Sequence, residues 1–117
     1  MKFFVKLFLS AFLVFSVPFS VGAQDDVVVT KQYDDGGMYE GTFKNGLQHG
    51  IGTYRLPNGY EYSGEWVDGE ILGVGVAKFP NGSVYEGNFI KGKPEGSGKI
   101  IFADGGTYEG TWLDGKI

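Results

Sequence analysis

The 117-residue chain contains no cysteine, one histidine and four prolines. Without thiols there is no disulfide framework and no cysteine to carry a lipid. His49 alone makes no His/Cys ligand set for a metal. No thiol or second imidazole is present to partner it in acid–base or nucleophilic catalysis, so it reads as a surface strand residue. Gly-x-Gly pairs are present, but they lack the following helix and the lysine of a phosphate-binding loop. Glu40, Glu86 and Glu109, with Glu65 close by, are carboxylates of the kind that act in pairs on glycosides. Their even spacing instead marks solvated charges on a strand face, within pairing range of Lys44, Lys91 or Lys99. The sequence therefore predicts no catalytic residue, no metal and no cofactor.

Long apolar runs are also missing, with one exception. Residues 1–23, MKFFVKLFLSAFLVFSVPFSVGA, place Lys2 and Lys6 ahead of an apolar run from Leu7 to Val17. Pro18 breaks the run, and Val21-Gly22-Ala23 offers small residues for a signal peptidase. The pattern is a secretory signal peptide. An uncleaved anchor is the weaker reading, because Ser10, Ser16 and Pro18 interrupt a stretch well short of the ~20 apolar residues that a spanning helix needs. The expected compartment is periplasmic or extracellular. All 14 acidic residues follow Ala23, whereas two of the ten cationic ones precede it, so the chain after Ala23 carries a formal charge of −6. Phosphate backbones and anionic headgroups repel such a surface. Nucleic acid is excluded as a partner, and so is purely electrostatic membrane binding.

What is abundant is glycine, at 21 residues, together with ten Phe, seven Tyr and two Trp. Glycine at this level suggests disorder, but disordered chains are poor in aromatics. Periodicity resolves the conflict. Tyr39, Tyr62, Tyr85 and Tyr108 are spaced 23 residues apart. Gly41, Gly64, Gly87 and Gly110 keep the step, as do Phe43, Trp66, Phe89 and Trp112. A second set follows in frame: Gly50-x-Gly52, Gly73-x-Gly75 and Gly96-x-Gly98.

Each unit reads as two strands. MYEGTFK alternates, with Tyr39, Gly41 and Phe43 on one face and Glu40, Thr42 and Lys44 on the other. GIGTYRL alternates likewise. Asn45-Gly46, Asp68-Gly69 and Asp114-Gly115 are hairpin turns. Pro57-Asn58-Gly59, Pro80-Asn81-Gly82 and Ala103-Asp104-Gly105 suit a type I turn followed by a left-handed glycine. The chain is predicted to be all-β, an antiparallel meander with one hairpin per 23 residues. Glycines beside large rings leave a gap in the side-chain layer, which a neighbouring aromatic covers. Gly75→Val is therefore expected to crowd a ring.

The predicted divisions are a signal peptide at 1–23, an N-terminal capping strand at 24–38, and repeats at 39–61, 62–84 and 85–107. A truncated fourth repeat occupies 108–117. In the capping segment Tyr33 is in frame with Leu56, and Val27 and Val29 stand where later units have glycine.

YEGTFKNGLQHGIGTYRLPNG, YSGEWVDGEILGVGVAKFPNG and YEGNFIKGKPEGSGKIIFADG resemble MORN repeats (membrane occupation and recognition nexus). The shared features are the aromatic–Glu–Gly start, an aromatic two residues later, and Gly-x-Gly in the second strand. Ser63 departs from the pattern. The resemblance covers 39–117 and implies an elongated, twisted, single-layer sheet. It also implies a role in protein contacts, self-association or, in some relatives, phospholipid contact.

Two faces then compete as binding surfaces. The aromatic–glycine layer comprises Tyr39, Phe43, Tyr62, Trp66, Tyr85, Phe89, Tyr108 and Trp112 with Gly50, Gly52, Gly73, Gly75, Gly96 and Gly98. It is first of all the core of so thin a fold; if partly open, it would take a glycan or a lipid headgroup. The other face carries Ile51, Leu72, Val74, Val76 and Ile101, more apolar than solvent requires. Open sheet edges add a route by strand addition. The favoured expectation is an exported, non-catalytic scaffold that binds a protein or a second copy. The alternative is a module for an extracytoplasmic glycan or lipid headgroup.

Overall fold

The computed structural model describes residues 27–117; the signal-peptide reading lies outside them. Eight antiparallel strands form one sheet in sequence order: β1 (Val29–Gln32), β2 (Met38–Lys44), β3 (Leu47–Arg55), β4 (Glu61–Val67), β5 (Glu70–Lys78), β6 (Val84–Ile90), β7 (Lys93–Ile101) and β8 (Thr107–Trp112). The all-β meander is as the periodicity predicts. The molecule measures 47 × 33 × 31 Å. β1 pairs with β2, placing Val29 opposite Gly41, while Val27 precedes the strand.

Two turn types alternate. Within each repeat a two-residue turn has both residues left-handed, such as Asn45 (φ 53°) and Gly46 (φ 80°). This is the mirror-type turn whose twist matches the flanking strands. Between repeats, Leu56 O accepts from Gly59 N at 3.1 Å, Leu56 N donates to Tyr60 O at 2.9 Å, and Asn58 Oδ1 accepts from Tyr60 N at 2.9 Å. Asn81, Asp104 and Asp35 make the same side-chain bond in their own turns.

One turn escaped the sequence pattern. Lys91-Gly92 closes the third hairpin with Lys91 at φ 51°, where its counterparts are Asn or Asp. Those residues tolerate the left-handed region better than a long side chain does. Lys91→Asn is expected to raise stability by about 0.5–1 kcal/mol, read as a shifted urea midpoint with an unchanged slope.

The glycines form a line. Gly41, Gly52, Gly64, Gly75, Gly87, Gly98 and Gly110 lie opposite one another in register from β2 to β8. Within a hairpin the two backbones nearly touch: a Cβ on Gly64 would lie 2.5 Å from Gly75 Cα. Just beyond this line the register of each hairpin shifts, between Gly41 and Phe43, Gly64 and Trp66, and Gly87 and Phe89, because the second strand carries two extra residues there. The single first-strand residue at the shift, Thr42, Glu65 or Asn88, faces three residues of the second strand. The repeat tyrosine reaches back to that residue's carbonyl: Tyr39 Oη donates to Thr42 O, Tyr62 Oη to Glu65 O and Tyr85 Oη to Asn88 O, each at 2.9 Å.

The two glycines of each Gly-x-Gly do different work, a division the sequence did not show. Gly75 lies beneath the Tyr62 ring, and a Cβ there would sit 2.6 Å from Cζ. Gly73 instead holds φ 111°, a left-handed backbone that glycine adopts without strain. Gly52 and Gly98 follow Gly75, whereas Gly50 and Gly96 follow Gly73.

Charge pairing also differs from expectation in its partners. Arg55 lies 3.9 Å from Glu40 and 3.4 Å from Glu61 on the face opposite the rings, so an arginine takes the place proposed for Lys44. Both pairs are exposed and add little stability.

Candidate binding faces

The predicted aromatic residues form one continuous ladder. Its order is Phe43–Tyr39–Trp66–Tyr62–Phe89–Tyr85–Trp112–Tyr108, and successive ring centroids lie 5.0–5.7 Å apart. Every contact is edge-to-face, an arrangement in which the positive ring edge meets the negative face of the next. Trp66, Phe89 and Trp112 thus each pack on their own tyrosine and on the tyrosine one repeat earlier, and Phe43 packs on Tyr39. Trp66 Nε1 donates to Gly52 O at 3.1 Å and Trp112 Nε1 to Gly98 O at 3.2 Å. Tyr39, Tyr62, Tyr85 and Phe89 are fully buried, and Phe43 and Tyr108 at the ladder's ends are half-buried. Rings that face one another in this way offer no open stacking platform along most of the ladder.

Burial raises the hydroxyl pKa of these tyrosines. Tyr39 is pushed up to about 12 by desolvation, with the nearby Tyr33 adding to it. Tyr62 is raised further, by burial first and by the Glu65 carboxylate second, and Tyr85 is raised by burial. A raised native pKa contributes stability that is complete below pH ~10 and is lost as pH climbs through the native value. The sheet is therefore expected to hold at pH 9 and to unfold between pH 10 and 12. Tyrosinate absorbance near 295 nm should rise together with the loss of far-ultraviolet strand signal. Ionisation complete before unfolding begins would contradict this.

The ladder's flanks are not uniform. A cavity of about 320 Å³ is lined by Tyr33, Asp35, Gln48, Tyr54, Tyr60, Trp66, Gly69 and Ile71. Gln48 Nε2 donates to Tyr33 Oη at 2.6 Å. The Tyr54 pKa is raised by burial, then by the Asp35 carboxylate, then by Tyr33, which places those groups around one space. Two repeats on, a cavity of about 240 Å³ uses the same frame positions: Phe79, Asn81, Pro94, Ile100, Trp112 and Gly115.

On the opposite face the predicted apolar residues do not make one patch. Val74 and Val76 lie two apart on β5, with Val76 opposite Glu86. Ile101 lies opposite Val84, a half-buried residue the sequence reading missed because its repeat equivalents are Met38, Glu61 and Thr107. Val84 stands diagonal to Val76, so Val74, Val76, Val84 and Ile101 form an oblique stripe across three strands. Val74 is 55% and Ile101 45% exposed. A groove of about 550 Å³ runs beside the stripe along Glu86, Asn88, Ser97, Lys99 and Glu109. Ile51, 65% exposed, lies apart on β3 opposite Glu65.

Leu72 is half-buried and holds a different position. Its equivalents His49 and Glu95 accept the backbone N–H of the next repeat's turn, from Asp68 at 3.2 Å and Asp114 at 2.8 Å. His49 is thus a turn-capping residue between repeats. Leu72 has no acceptor to offer Lys91 in the same way. At the sheet's two margins, β1 and β8 each pair on one side only.

An open array of hairpins with a buried aromatic spine defines a class, the repeat proteins in which each unit packs only on its neighbours. The MORN repeat profile matches residues 39–59, 62–84, 85–107 and 108–117. The chain belongs to the MORN-repeat family, whose repeats are protein- or membrane-binding modules. No curated protein matches the chain.

Proposed function

We propose that this protein is an exported, non-catalytic scaffold that docks a protein partner, or a second copy of itself, on the face opposite the aromatic ladder. The observation that carries this reading is the stripe Val74–Val76–Val84–Ile101. The ladder already supplies the fold with its apolar burial, so nothing in folding requires these side chains on the outer face. The adjoining groove mixes Glu86 and Glu109 with Lys99, which suits a partner held by an apolar centre and a polar rim. Export rests on the pattern of residues 1–23, and the acidic surface argues against anionic lipid as the partner.

Lys78 lies opposite Val84, and Lys99 opposite Glu86, so an amine crosslinker reports directly on this face. Crosslinking in the native envelope or secreted fraction, followed by mass spectrometry, should join Lys78 or Lys99 to a stoichiometric protein or to a second copy. Val74→Asp with Ile101→Asp should abolish those crosslinks while leaving the melting curve close to that of the parent. Crosslinks that survive the double variant, or none from either lysine, would overturn the assignment of this face.

A further inference from the structure

The 23-residue repeat contains its own control. The cavity beside Trp66 and the one beside Trp112 share six frame positions 46 residues apart. At the later one the chain uses Phe79, Pro94 and Ile100, which are apolar, and Asn81, which caps its turn. At the earlier one the same positions carry Tyr33, Asp35, Gln48 and Tyr54, and Tyr60 joins them from the following turn. The fold is satisfied without the Tyr33 and Tyr54 hydroxyls and the Gln48 amide, as the later cavity demonstrates, and at the Asp35 position the neutral Asn81 caps the turn equally well.

We propose that the cavity formed by Tyr33, Asp35, Gln48, Tyr54, Tyr60 and Trp66 is a saccharide-binding site that takes one neutral pyranose ring, free or at the end of a glycan. Ligand sites are largely apolar clefts with a few convergent polar groups. Here the apolar part is aromatic, and the polar part is of the kind that bonds vicinal hydroxyls. A carboxylate accepts two hydrogen bonds, an amide both donates and accepts, and tyrosine hydroxyls do either. A volume of about 320 Å³ lies at the lower end of ligand cavities, enough for one ring. Trp66 forms the buried floor, 6% exposed, and the three tyrosines are half-buried walls.

A cation is the competing ligand, since aromatic walls and a carboxylate also suit an ammonium. Lys31 Nζ already lies 5.3 Å from the Tyr33 ring centroid, which puts a positive charge beside that wall. A second cation would meet like charge there.

The test uses substitutions that the protein already tolerates in frame. Tyr54→Ile copies Ile100, and Asp35→Asn copies Asn81, whose side chain makes the same turn bond. Trp112→Phe copies Phe89 and leaves Trp66 as the sole fluorescent reporter. The protein purified from the fraction where it accumulates is applied to an array of neutral oligosaccharides of hexoses and N-acetylhexosamines. The Trp112→Phe form is then titrated with methyl glycosides of the same sugars and with tetramethylammonium. The expected result is selective binding on the array, a Trp66 emission change on titration, and at least a tenfold loss of affinity in Tyr54→Ile and in Asp35→Asn. Response to free methyl glycosides assigns a soluble sugar; response only to oligosaccharides assigns a glycan chain. Absence of binding to every saccharide, binding undiminished in both variants, or a response to tetramethylammonium alone would overturn the proposal. None of these outcomes depends on the Val74–Ile101 stripe.

Discussion

Gly75→Val destabilises the sheet by about 3 kcal/mol, at the upper end of what an overpacked site costs. The new Cβ lands on the Tyr62 ring, close to Oη, Cε1 and Cζ. In a loose core a ring would swing aside. Tyr62 has nowhere to go, being fully buried, flanked edge-on by Trp66 at 5.6 Å and Phe89 at 5.0 Å, and bonded through Oη to Glu65 O. Any displacement therefore disturbs two aromatic contacts and frees a carbonyl at the register shift. For a domain of this size the loss corresponds to roughly a 15 °C drop in Tm. Gly106→Ala is the comparator: its Cβ would meet the Asp104 Oδ1 carboxylate tip at 3.3 Å and Phe102 Cδ2 at an ordinary 3.9 Å, and should cost no more than about 0.5 kcal/mol. Equal effects at the two positions would show that glycine is needed for chain flexibility rather than for the ring above it.

Much of this was legible in the sequence because the repeat supplied three readings of each position. A single YEGTF is ambiguous, but four in frame fix the tyrosine, the glycine and the following aromatic on one face, and strand alternation does the rest. The Pro-Asn-Gly and Asn-Gly turns were equally readable, since their chemistry is local. Three features were hidden for physical reasons. The register shift after Gly41, Gly64 and Gly87 leaves composition unchanged, so the link from the tyrosine hydroxyl to the carbonyl of Thr42, Glu65 or Asn88 could not be inferred. Lys91 breaks the turn rule because the surrounding ladder tolerates a strained residue. The cavity of Tyr33, Gln48 and Tyr54 joins the segment after β1 to two positions of β3 that no spacing rule groups; the available signal was the departure of those frame positions from Phe79, Pro94 and Ile100. The opposite face was only half readable. Alternation placed Val74, Val76 and Ile101 there, but not Val84, because the matching position in each neighbouring repeat is polar or flexible.

Phe89→Ala should cost about 3–5 kcal/mol, the range for deleting a buried aromatic, and it should also divide the molecule. Phe89 is 1% exposed and sits between Tyr62 at 5.0 Å and Tyr85 at 5.1 Å. It is the rung through which the aromatic ladder passes from the second repeat to the third. In a one-dimensional array, cooperativity depends on such neighbour contacts rather than on a shared core. With this rung gone, β5 and β6 are still joined by backbone bonds, but the apolar coupling across them is lost. Trp66 and Trp112 lie on either side of the break and serve as separate reporters once the other is replaced by Phe. In the parent both should report one urea midpoint; in Phe89→Ala the two midpoints should separate. Coincident midpoints would mean that the backbone ladder alone carries the coupling. Phe89→Trp provides the opposite sign. Trp66 and Trp112 occupy the equivalent position and bond Gly52 O and Gly98 O, and Gly75 O is the matching acceptor. That substitution should leave one transition and raise its free energy by about 1 kcal/mol, the net worth of one added hydrogen bond.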